Sequence, residues 1–207
     1  MKSLLKGKFI VLDGPDGCGK STQARLLGKW AQDNQVKTVS FRDPGTTVIG
    51  EKIRDILLDP AHKEMNTRCE LLLYMAARAQ LYSEFIVPAL KQGKCVILDR
   101  WLSSTCAYQG FAGGFGIQKV IKLAADSLEK AWPDITIILD IDLEAAKPRL
   151  NANLDRMEQK SKDYHQKVRL GFLELAKEME TFKVVDAADD IDTVHENIKN
   201  HIKAALQ

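Results

Sequence analysis

The feature that most constrains this chain is a glycine-rich pattern that directly follows an apolar run. Residues 9–13 read FIVLD, and residues 14–21 read GPDGCGKS, which fits G-x-x-x-x-G-K-[ST]. The apolar run predicts a buried strand. The pattern after it predicts a loop whose backbone N–H groups surround phosphate oxygens at the start of a helix. A strand, a phosphate loop and a helix in this order indicate an α/β fold.

Apolar runs alternate with amphipathic segments along the rest of the chain. Short runs rich in Val and Ile predict five strands, at residues 9–13, 36–41, 95–99, 135–141 and 183–186. Helical spacing of apolar residues predicts helices at residues 21–32, 49–59, 69–92 and 163–180. Pro88 predicts a bend or a boundary within the third of these. The alternation predicts a five-stranded parallel sheet flanked by helices on both faces.

Composition excludes several classes of protein. A length of 207 residues suits a single domain over residues 1–207, and 30 basic against 28 acidic residues give no excess charge for a nucleic-acid partner. No apolar run approaches the roughly 20 residues of a membrane span. The four cysteines form no C-x-x-C pair, and the four histidines form no metal-binding pattern. We therefore expect no membrane partner and a location in the reducing cytoplasm.

The phosphate loop predicts specific contacts to a bound nucleotide. Lys20 is expected to reach the β- and γ-phosphates, and the Ser21 hydroxyl is expected to bind Mg²⁺. The ATP-binding residues expected from the loop are Gly14, Pro15, Asp16, Gly17, Cys18, Gly19, Lys20, Ser21 and Thr22. The loop alone does not distinguish a kinase from an ATPase, a GTPase switch or a nucleotide-driven binding protein. The sequence lacks the N-K-x-D pattern typical of guanine recognition.

Two further segments suggest what the nucleotide meets. Asp99 ends an apolar run, so we expect it to face Mg²⁺, and the adjacent Arg100 suits a second phosphate group. A surface Asp–Arg pair is the alternative. Tyr74 and Arg78 are four residues apart on one helix face, where a ring and a guanidinium can bind a nucleobase. An aromatic core residue beside an Arg that extends to solvent explains this spacing equally well.

Five separated motifs together resemble the thymidylate kinase family over residues 8–205. In chain order they are GPDGCGKST, FRDPG, YMAARAQ, DRWLSSTCAYQG and LDRMEQ. The resemblance implies a P-loop NTPase fold with a small lid at about residues 149–162. It also implies transfer of the γ-phosphate of MgATP to dTMP, which yields dTDP, with Mg²⁺ as the cofactor and ATP as the co-substrate.

The resemblance also assigns residues to the acceptor nucleotide. The dTMP-binding positions that it implies are Asp16, Arg42, Tyr74, Arg78, Arg100, Thr105, Tyr108 and Gln109. Asp16 corresponds to an acid that binds the 3′-hydroxyl of the sugar. Tyr74 is expected to stack on thymine and Arg78 to reach its O4 atom. Two arginines, Arg42 and Arg100, are expected to hold the acceptor phosphate, since bidentate contacts fix its geometry.

The phosphate loop contains no basic residue between its first glycine and Gly19, and Gly17 stands where one family subgroup carries a base. The resemblance therefore implies that arginines of the lid, Arg149 and Arg156, approach the transferring phosphoryl group. A solvated charged stretch is the alternative for both. The catalytic set implied by the family is Lys20, Asp99, Arg100, Arg149 and Arg156, with Ser21 and Asp99 as metal ligands.

Some alternatives remain at this level. Another nucleoside monophosphate kinase of the same fold, acting on dUMP, CMP or AMP, would share most of these motifs. A deoxynucleoside kinase would need no clamp on an acceptor phosphate, which Arg42 and Arg100 argue against. Thr46 departs from the second glycine that often follows this Pro-Gly pair in relatives. The family commonly forms homodimers through helices, and residues 71–86 are apolar enough to serve, although burial within one chain explains that pattern as well.

Overall fold

The computed structural model describes residues 2–129, 132–150 and 153–207. These residues form one five-stranded parallel sheet with the strand order β2-β3-β1-β4-β5. The strands are β1 (Phe9–Asp13), β2 (Thr38–Arg42), β3 (Cys95–Asp99), β4 (Ile135–Asp140) and β5 (Phe182–Asp186). The five strands, their parallel direction and the flanking helices confirm the fold class predicted from the sequence.

Helices connect successive strands. The first half of the chain contains α1 (Lys2–Leu5), α2 (Lys20–Asp33), α3 (Val48–Leu58), α4 (Thr67–Leu81) and α5 (Val87–Lys91). The second half contains α6 (Leu102–Thr105), α7 (Ile117–Ser127), α8 (Leu143–Ala146), α9 (Lys162–Glu178) and α10 (Ile191–Leu206). The four helical segments predicted from the sequence correspond to α2, α3, α4 with α5, and α9. The amphipathic helices α7 and α10 were not predicted.

The segment around Pro88 stays helical but changes its winding. A π-helical turn at Tyr82–Ile86 joins α4 to α5, and Pro88 lies in the first turn of α5. Proline has no N–H and its ring collides with the carbonyl one turn earlier, so a regular α-helix cannot pass through it. Widening the preceding turn relieves this conflict. The predicted bend is therefore a local π-helical turn.

A second π-helical segment follows α6 at Cys106–Ala112. The Gly113 N–H donates to the Tyr108 carbonyl at 2.8 Å, which spans five residues instead of four. The wider turn leaves Tyr108 and its neighbour Gln109 both facing the same side of the fold. Helix α9 packs directly against this segment.

The three central strands β1, β3 and β4 are buried on both faces of the sheet, which explains why they read as continuous apolar runs. Phe9 and Val11 of β1 point into a core formed with α4, α7 and α9. The alternate residues Ile10 and Leu12 point into a second core formed with α2 and α10. Every residue of β1 is fully buried.

The carboxyl ends of the strands meet at one edge of the sheet. Leu12 of β1 and Arg42 of β2 both lie beside Asp99 at the end of β3, and Asp140 of β4 lies beside Asp186 of β5. Ligands of open α/β sheets bind outside this edge. The phosphate loop leaves β1 here, so the fold places it at the centre of the edge. Among the described residues, no helix is both long and apolar enough to cross a membrane.

Gly171 of α9 gives a direct test of the packing between α9 and the second π-helical segment. A Cβ atom at Gly171 would lie 3.1 Å from the Ala107 Cα and 2.9 Å from the Phe111 Cβ. We expect Gly171→Val to lower the free energy of unfolding by about 1–3 kcal/mol in denaturant titrations, because the added carbons overpack this contact. Leu170→Val, on the exposed side of the same helix, should change it by about 0.5 kcal/mol or less. Equal effects of the two variants would contradict this description of the packing.

Candidate active site

The phosphate loop turns sharply because its glycines adopt conformations that other residues avoid. Gly14 has a φ of 142°, and a Cβ atom there would lie 2.4 Å from the Leu139 carbonyl oxygen. At the other end, Gly19 has a φ of 93° and immediately precedes α2. The loop can therefore approach β4 closely and still direct its last turn into the helix.

Gly17 explains why the loop carries no basic side chain at this position. Its φ is 77°, and a Cβ atom would lie 2.8 Å from the Ala146 carbonyl oxygen at the end of α8. Any longer side chain would displace α8 or the loop. The loop therefore has no room for a basic side chain at residue 17.

The side chain of Lys20 is folded into the loop. Its Nζ donates to the Pro15 carbonyl at 2.7 Å and to the Gly14 carbonyl at 3.2 Å. One residue further, the Ser21 hydroxyl donates to the Asp99 carboxylate at 2.5 Å. An ammonium group, a hydroxyl and a carboxylate thus lie side by side at the start of α2.

A buried carboxylate joins the phosphate loop to the segment after β3. Asp13, which ends β1, accepts the Gly14 N–H at 2.9 Å with one oxygen. The Ser103 hydroxyl donates to its other oxygen at 2.6 Å and the Ser104 N–H donates to the same oxygen at 2.9 Å. The Ser104 hydroxyl donates at 2.7 Å to the Asp13 oxygen that also accepts the Gly14 N–H. Asp13 therefore fixes the position of the loop relative to Arg100, and sequence reasoning missed this role.

The larger cavity at this edge of the sheet has a volume of about 860 Å³, within the usual range for small-molecule sites. It is bounded by the phosphate loop, the ends of β2 and β3, and the segment before α10. The predicted site residues that line it are Asp16, Gly17, Cys18, Gly19, Lys20, Ser21, Thr22, Arg42, Asp99, Arg100 and Arg149. Gly14 and Pro15 do not line this cavity; their carbonyls hold Lys20 instead.

A smaller cavity of about 160 Å³ lies on the other side of Arg100. The predicted acceptor residues that line it are Asp16, Tyr74, Arg78, Arg100, Thr105, Tyr108 and Gln109. These residues come from the phosphate loop, from α4 and from the π-helical segment after α6. Seven of the eight predicted acceptor residues therefore line one cavity, and Arg42 is the exception.

Asp16 and Arg100 form the boundary between the two cavities. Their side chains are in direct contact, and both line both cavities. The Tyr108 hydroxyl donates to the other Asp16 oxygen at 2.7 Å, and the Arg100 guanidinium lies 5.4 Å from the Tyr108 ring centre. Burial acts to raise the pKa of Asp16, but Arg100 and Lys20 outweigh it and hold the pKa below its ordinary value. Asp16 is therefore a carboxylate at neutral pH.

The structure excludes one of the two interpretations of Arg78. Its side chain is only 1% exposed, so it does not extend to solvent. The Asp43 carboxylate accepts from Arg78 at 2.6 Å, and the Thr105 hydroxyl accepts from it at 2.9 Å. Nη1 donates to the Met75 sulfur at 3.2 Å, its one hydrogen bond within the described part of the chain. The guanidinium is thus held rigidly at the inner end of the smaller cavity, while Tyr74 lines the same cavity from one turn earlier in α4.

Of the two arginines predicted to hold the acceptor phosphate, Arg100 lines both cavities and Arg42 lines only the larger one. Arg42 lines the larger cavity and donates to both oxygens of Glu51, at 2.9 and 3.0 Å. Arg54, which sequence reasoning missed, lines both cavities and donates to the Pro44 carbonyl at 3.1 Å. Arg54 lies on the side of α3 that faces the cavities, so its position on the predicted helix was the feature of the sequence that could have identified it. Thr46 has a φ of 70°, which explains why glycine suits that position.

The two predicted lid arginines occupy different places. Arg149 lines the larger cavity and donates to the Ala187 carbonyl at 3.1 Å. Arg156 lines neither cavity, and its side chain is only 6% exposed. It forms an ion pair with Glu70 at 2.6 Å and donates to the Leu57 carbonyl at 2.6 Å. These contacts direct its guanidinium into the protein, so the structure does not bring Arg156 to the phosphate loop.

The lid segment as predicted, residues 149–162, lies only partly within the described residues, since Asn151 and Ala152 fall outside them. Its described part contributes Glu158, which lines both cavities and was not predicted. Burial raises the pKa of Glu158 above its ordinary value. Glu158 belongs to the LDRMEQ motif, so the signal was present in the sequence.

Comparisons with known proteins agree with this geometry. The family model described as Thymidylate kinase matches residues 12–198. A thymidylate kinase of Thermoanaerobacter sp. (strain X514) is 42% identical over 204 residues, covering 98% of this chain and 100% of the relative. A thymidylate kinase of Clostridium novyi (strain NT) is 37% identical over 203 residues, covering 96% of this chain and 99% of the relative.

A solved structure shows the same arrangement of the backbone. The crystal structure of thymidylate kinase from Ehrlichia chaffeensis superposes with a TM-score of 0.79 at 30% identity, covering 96% of this chain and 99% of that one. A match over nearly the full length of several relatives shows more than a shared fold. The chain belongs to the thymidylate kinase family.

Proposed function

We propose that this protein transfers the γ-phosphate of ATP to dTMP and releases ADP and dTDP. The observation that carries the proposal is the boundary formed by Asp16 and Arg100, which line both cavities at once. Two phosphate groups bound on either side of this boundary would lie next to each other, which is the arrangement that direct transfer requires. The family relationship supports the same activity.

On the donor side, we assign the larger cavity to ATP. The loop from Asp16 to Thr22 would hold the phosphates, with Lys20 released from its carbonyl partners to contact the β- and γ-phosphates. The base would occupy the end of the cavity lined by Ala187 and Ile191. The helix dipole of α2 adds positive potential at the phosphates.

We propose Ser21 and Asp99 as the protein ligands of Mg²⁺. A hydroxyl and a carboxylate 2.5 Å apart provide the hard oxygen donors that Mg²⁺ prefers, and phosphate oxygens and water supply the rest of its usual six ligands. Among the described residues, no group of three or more His, Cys, Asp or Glu side chains forms a separate metal site. This fits an ion that binds together with its nucleotide. When bound, Mg²⁺ neutralises charge on the phosphates.

On the acceptor side, we assign the smaller cavity to dTMP. Tyr74 would stack on the base, Arg78 would donate to its O4 atom, and Thr105 lies beside that guanidinium. Asp16 would accept from the 3′-hydroxyl. Burial raises the pKa of Tyr108, so its hydroxyl stays protonated and keeps Asp16 in place. The acceptor phosphate would meet Arg100, with Arg54 and Arg42 on the same side.

We propose Arg149 as the cation that the phosphate loop lacks. It lines the ATP cavity. Within the described structure it makes one hydrogen bond, to the Ala187 carbonyl, and this bond is weak enough to be exchanged for one to a phosphate. Arg156 is committed to Glu70 in a buried pair, and breaking such a pair is costly. We therefore assign Arg156 a positioning role.

The acceptor assay tests the proposed activity. With MgATP, we expect dTMP to be converted to dTDP with a kcat/KM at least about 100-fold above that for CMP, dCMP or AMP, because Arg78 and the enclosed cavity select the base. Product formation should require Mg²⁺ and stop with excess EDTA. The measurement is separation of nucleotide products by ion-exchange chromatography. Equal rates with CMP would contradict the thymidylate assignment.

Substitution of Arg149 tests the proposed catalytic cation. We expect Arg149→Ala to lower kcat at least about 100-fold while the KM for dTMP changes only a few-fold, since the guanidinium acts on the transferring group. Lys147→Ala is the matched control, because Lys147 carries the same charge in the same turn but does not line the ATP cavity. Steady-state kinetics that show a pure KM effect for Arg149→Ala would sink the assignment.

We also propose that the protein forms homodimers through α3 and α4. These two helices pack together, and their outer side exposes large apolar side chains at Val48, Ile49, Ile56 and Leu72. Several exposed large apolar side chains on two packed helices are typical of an interaction site. All four cysteines are free thiols, which supports a reducing, cytoplasmic location for the assembly.

Light scattering coupled to gel filtration tests the dimer. The wild-type chain should elute with twice the chain mass, and Leu72→Glu should shift it to the monomer because a charge would be buried in an apolar contact. Val184→Glu, at an exposed apolar position on β5, is the control and should leave the mass unchanged. A wild-type protein that is monomeric at micromolar concentration would refute the proposal.

A further inference from the structure

A buried carboxylate connects the smaller cavity to the lid segment. Glu70 of α4 is 3% exposed, and each of its oxygens has a different partner. One oxygen pairs with Arg156 Nη1 at 2.6 Å, and the other accepts from Gln109 Nε2 at 2.8 Å. Gln109 is itself 1% exposed and lines the smaller cavity. The three side chains therefore form a continuous buried chain, Arg156–Glu70–Gln109.

This chain fixes the orientation of the Gln109 amide. A carboxylate has no proton to donate, so only the NH₂ end of an amide can face it. The other Glu70 oxygen faces the Arg156 guanidinium, so both oxygens act as acceptors. The Gln109 Oε1 must then point away from Glu70, and none of the described residues donates to it. The free side of the amide is thus a hydrogen-bond acceptor at the cavity.

We propose that Glu70 and Arg156 are positioning residues that make the acceptor cavity selective for a pyrimidine with an imide N–H. This inference rests on the proposed function. Arg78 Nη1 offers a donor, which matches the O4 atom of thymine, and Gln109 Oε1 offers an acceptor, which matches the neighbouring N3–H. Cytosine presents the opposite pair, an amino group and an unprotonated N3. It would place a donor against a donor and an acceptor against an acceptor.

Arg156 holds this arrangement from the lid side. Its main-chain N–H donates to the Leu58 carbonyl at 3.0 Å and its Nε donates to the Leu57 carbonyl, so the residue is fastened to the end of α3. The next residue, Met157, is buried and lines the smaller cavity, as does Leu58. Arg156 therefore places one wall of the cavity and, through Glu70, orients the amide on the opposite wall.

The test removes the fixed acceptor while keeping the size of the side chain. In Glu70→Gln, residue 70 can either donate or accept, so Gln109 is free to present either end of its amide. We expect the ratio of kcat/KM for dTMP to kcat/KM for dCMP to fall at least about tenfold, with the dCMP value rising, because the mismatch with cytosine is relieved. Calorimetric binding of dTMP and of dCMP without ATP should show the same loss of preference.

Two further variants keep the test independent of folding. Glu70→Gln leaves Arg156 without a charged partner, so the double variant Glu70→Gln/Arg156→Gln removes that charge as well and should show the same loss of preference. Glu84→Gln is the matched control, because Glu84 also accepts from a glutamine, Gln80 at 2.8 Å, but on the exposed side of the same helical region. For Glu84→Gln, the ratio of kcat/KM for dTMP to kcat/KM for dCMP should stay within about twofold of the wild-type ratio. Thermal melting confirms that each variant is folded.

The outcomes separate this inference from the proposed function. A wild-type protein that phosphorylates dTMP, together with a folded double variant whose dTMP-to-dCMP ratio is unchanged, would overturn the positioning role alone. An equal loss of rate with both nucleotides would also overturn it, because a purely structural role predicts that result. A wild-type protein with no activity on dTMP would instead refute the proposed function before any variant is compared.

Discussion

The arrangement of the site depends on the buried carboxylate of Asp13. It ends the central strand β1 and binds the first amide of the phosphate loop and the Ser103 and Ser104 side chains after β3. A buried carboxylate is tolerated only when its lone pairs are satisfied, so these partners must stay in place. The result is a rigid junction between the phosphate loop and the Arg100 segment, each of which contributes a side chain to both cavities.

From this junction, a single loop can serve two ligands. Asp16 points from the phosphate loop toward the acceptor cavity, where Arg100 and Tyr108 hold it. An acid inside an anion-binding loop would otherwise oppose phosphate binding. Because Arg100 contributes most to the compensation of its charge, with Lys20 second, the positive potential of the α2 terminus stays available to the donor. The two cavities are therefore coupled through side chains of opposite charge and not only through proximity.

Much of the fold could be predicted because its signals are local. β1 and β3 were predicted with their observed bounds, since strands buried on both faces give uninterrupted apolar runs. Helices α7 and α10 also carry buried residues at helical spacing, such as Val120 with Ala124 and Val194 with Ile198, so their signal was present. The positions of the two π-helical turns could not be predicted, because the point at which a helix widens depends on how its side chains pack against the surrounding core. Pro88 indicated only that the regular winding must change nearby.

For the site, the sequence by itself determined the phosphate loop and the shared helical face of Tyr74 and Arg78. These features follow from backbone geometry at short range and from fixed helical spacing. Only the tertiary structure decided where long, charged side chains end. Arg149 lies at the larger cavity and Arg156 in a buried pair with Glu70, although both belong to the same polar stretch. A flexible arginine can reach in several directions, and the one it takes is set by the carboxylates and carbonyls that folding places around it.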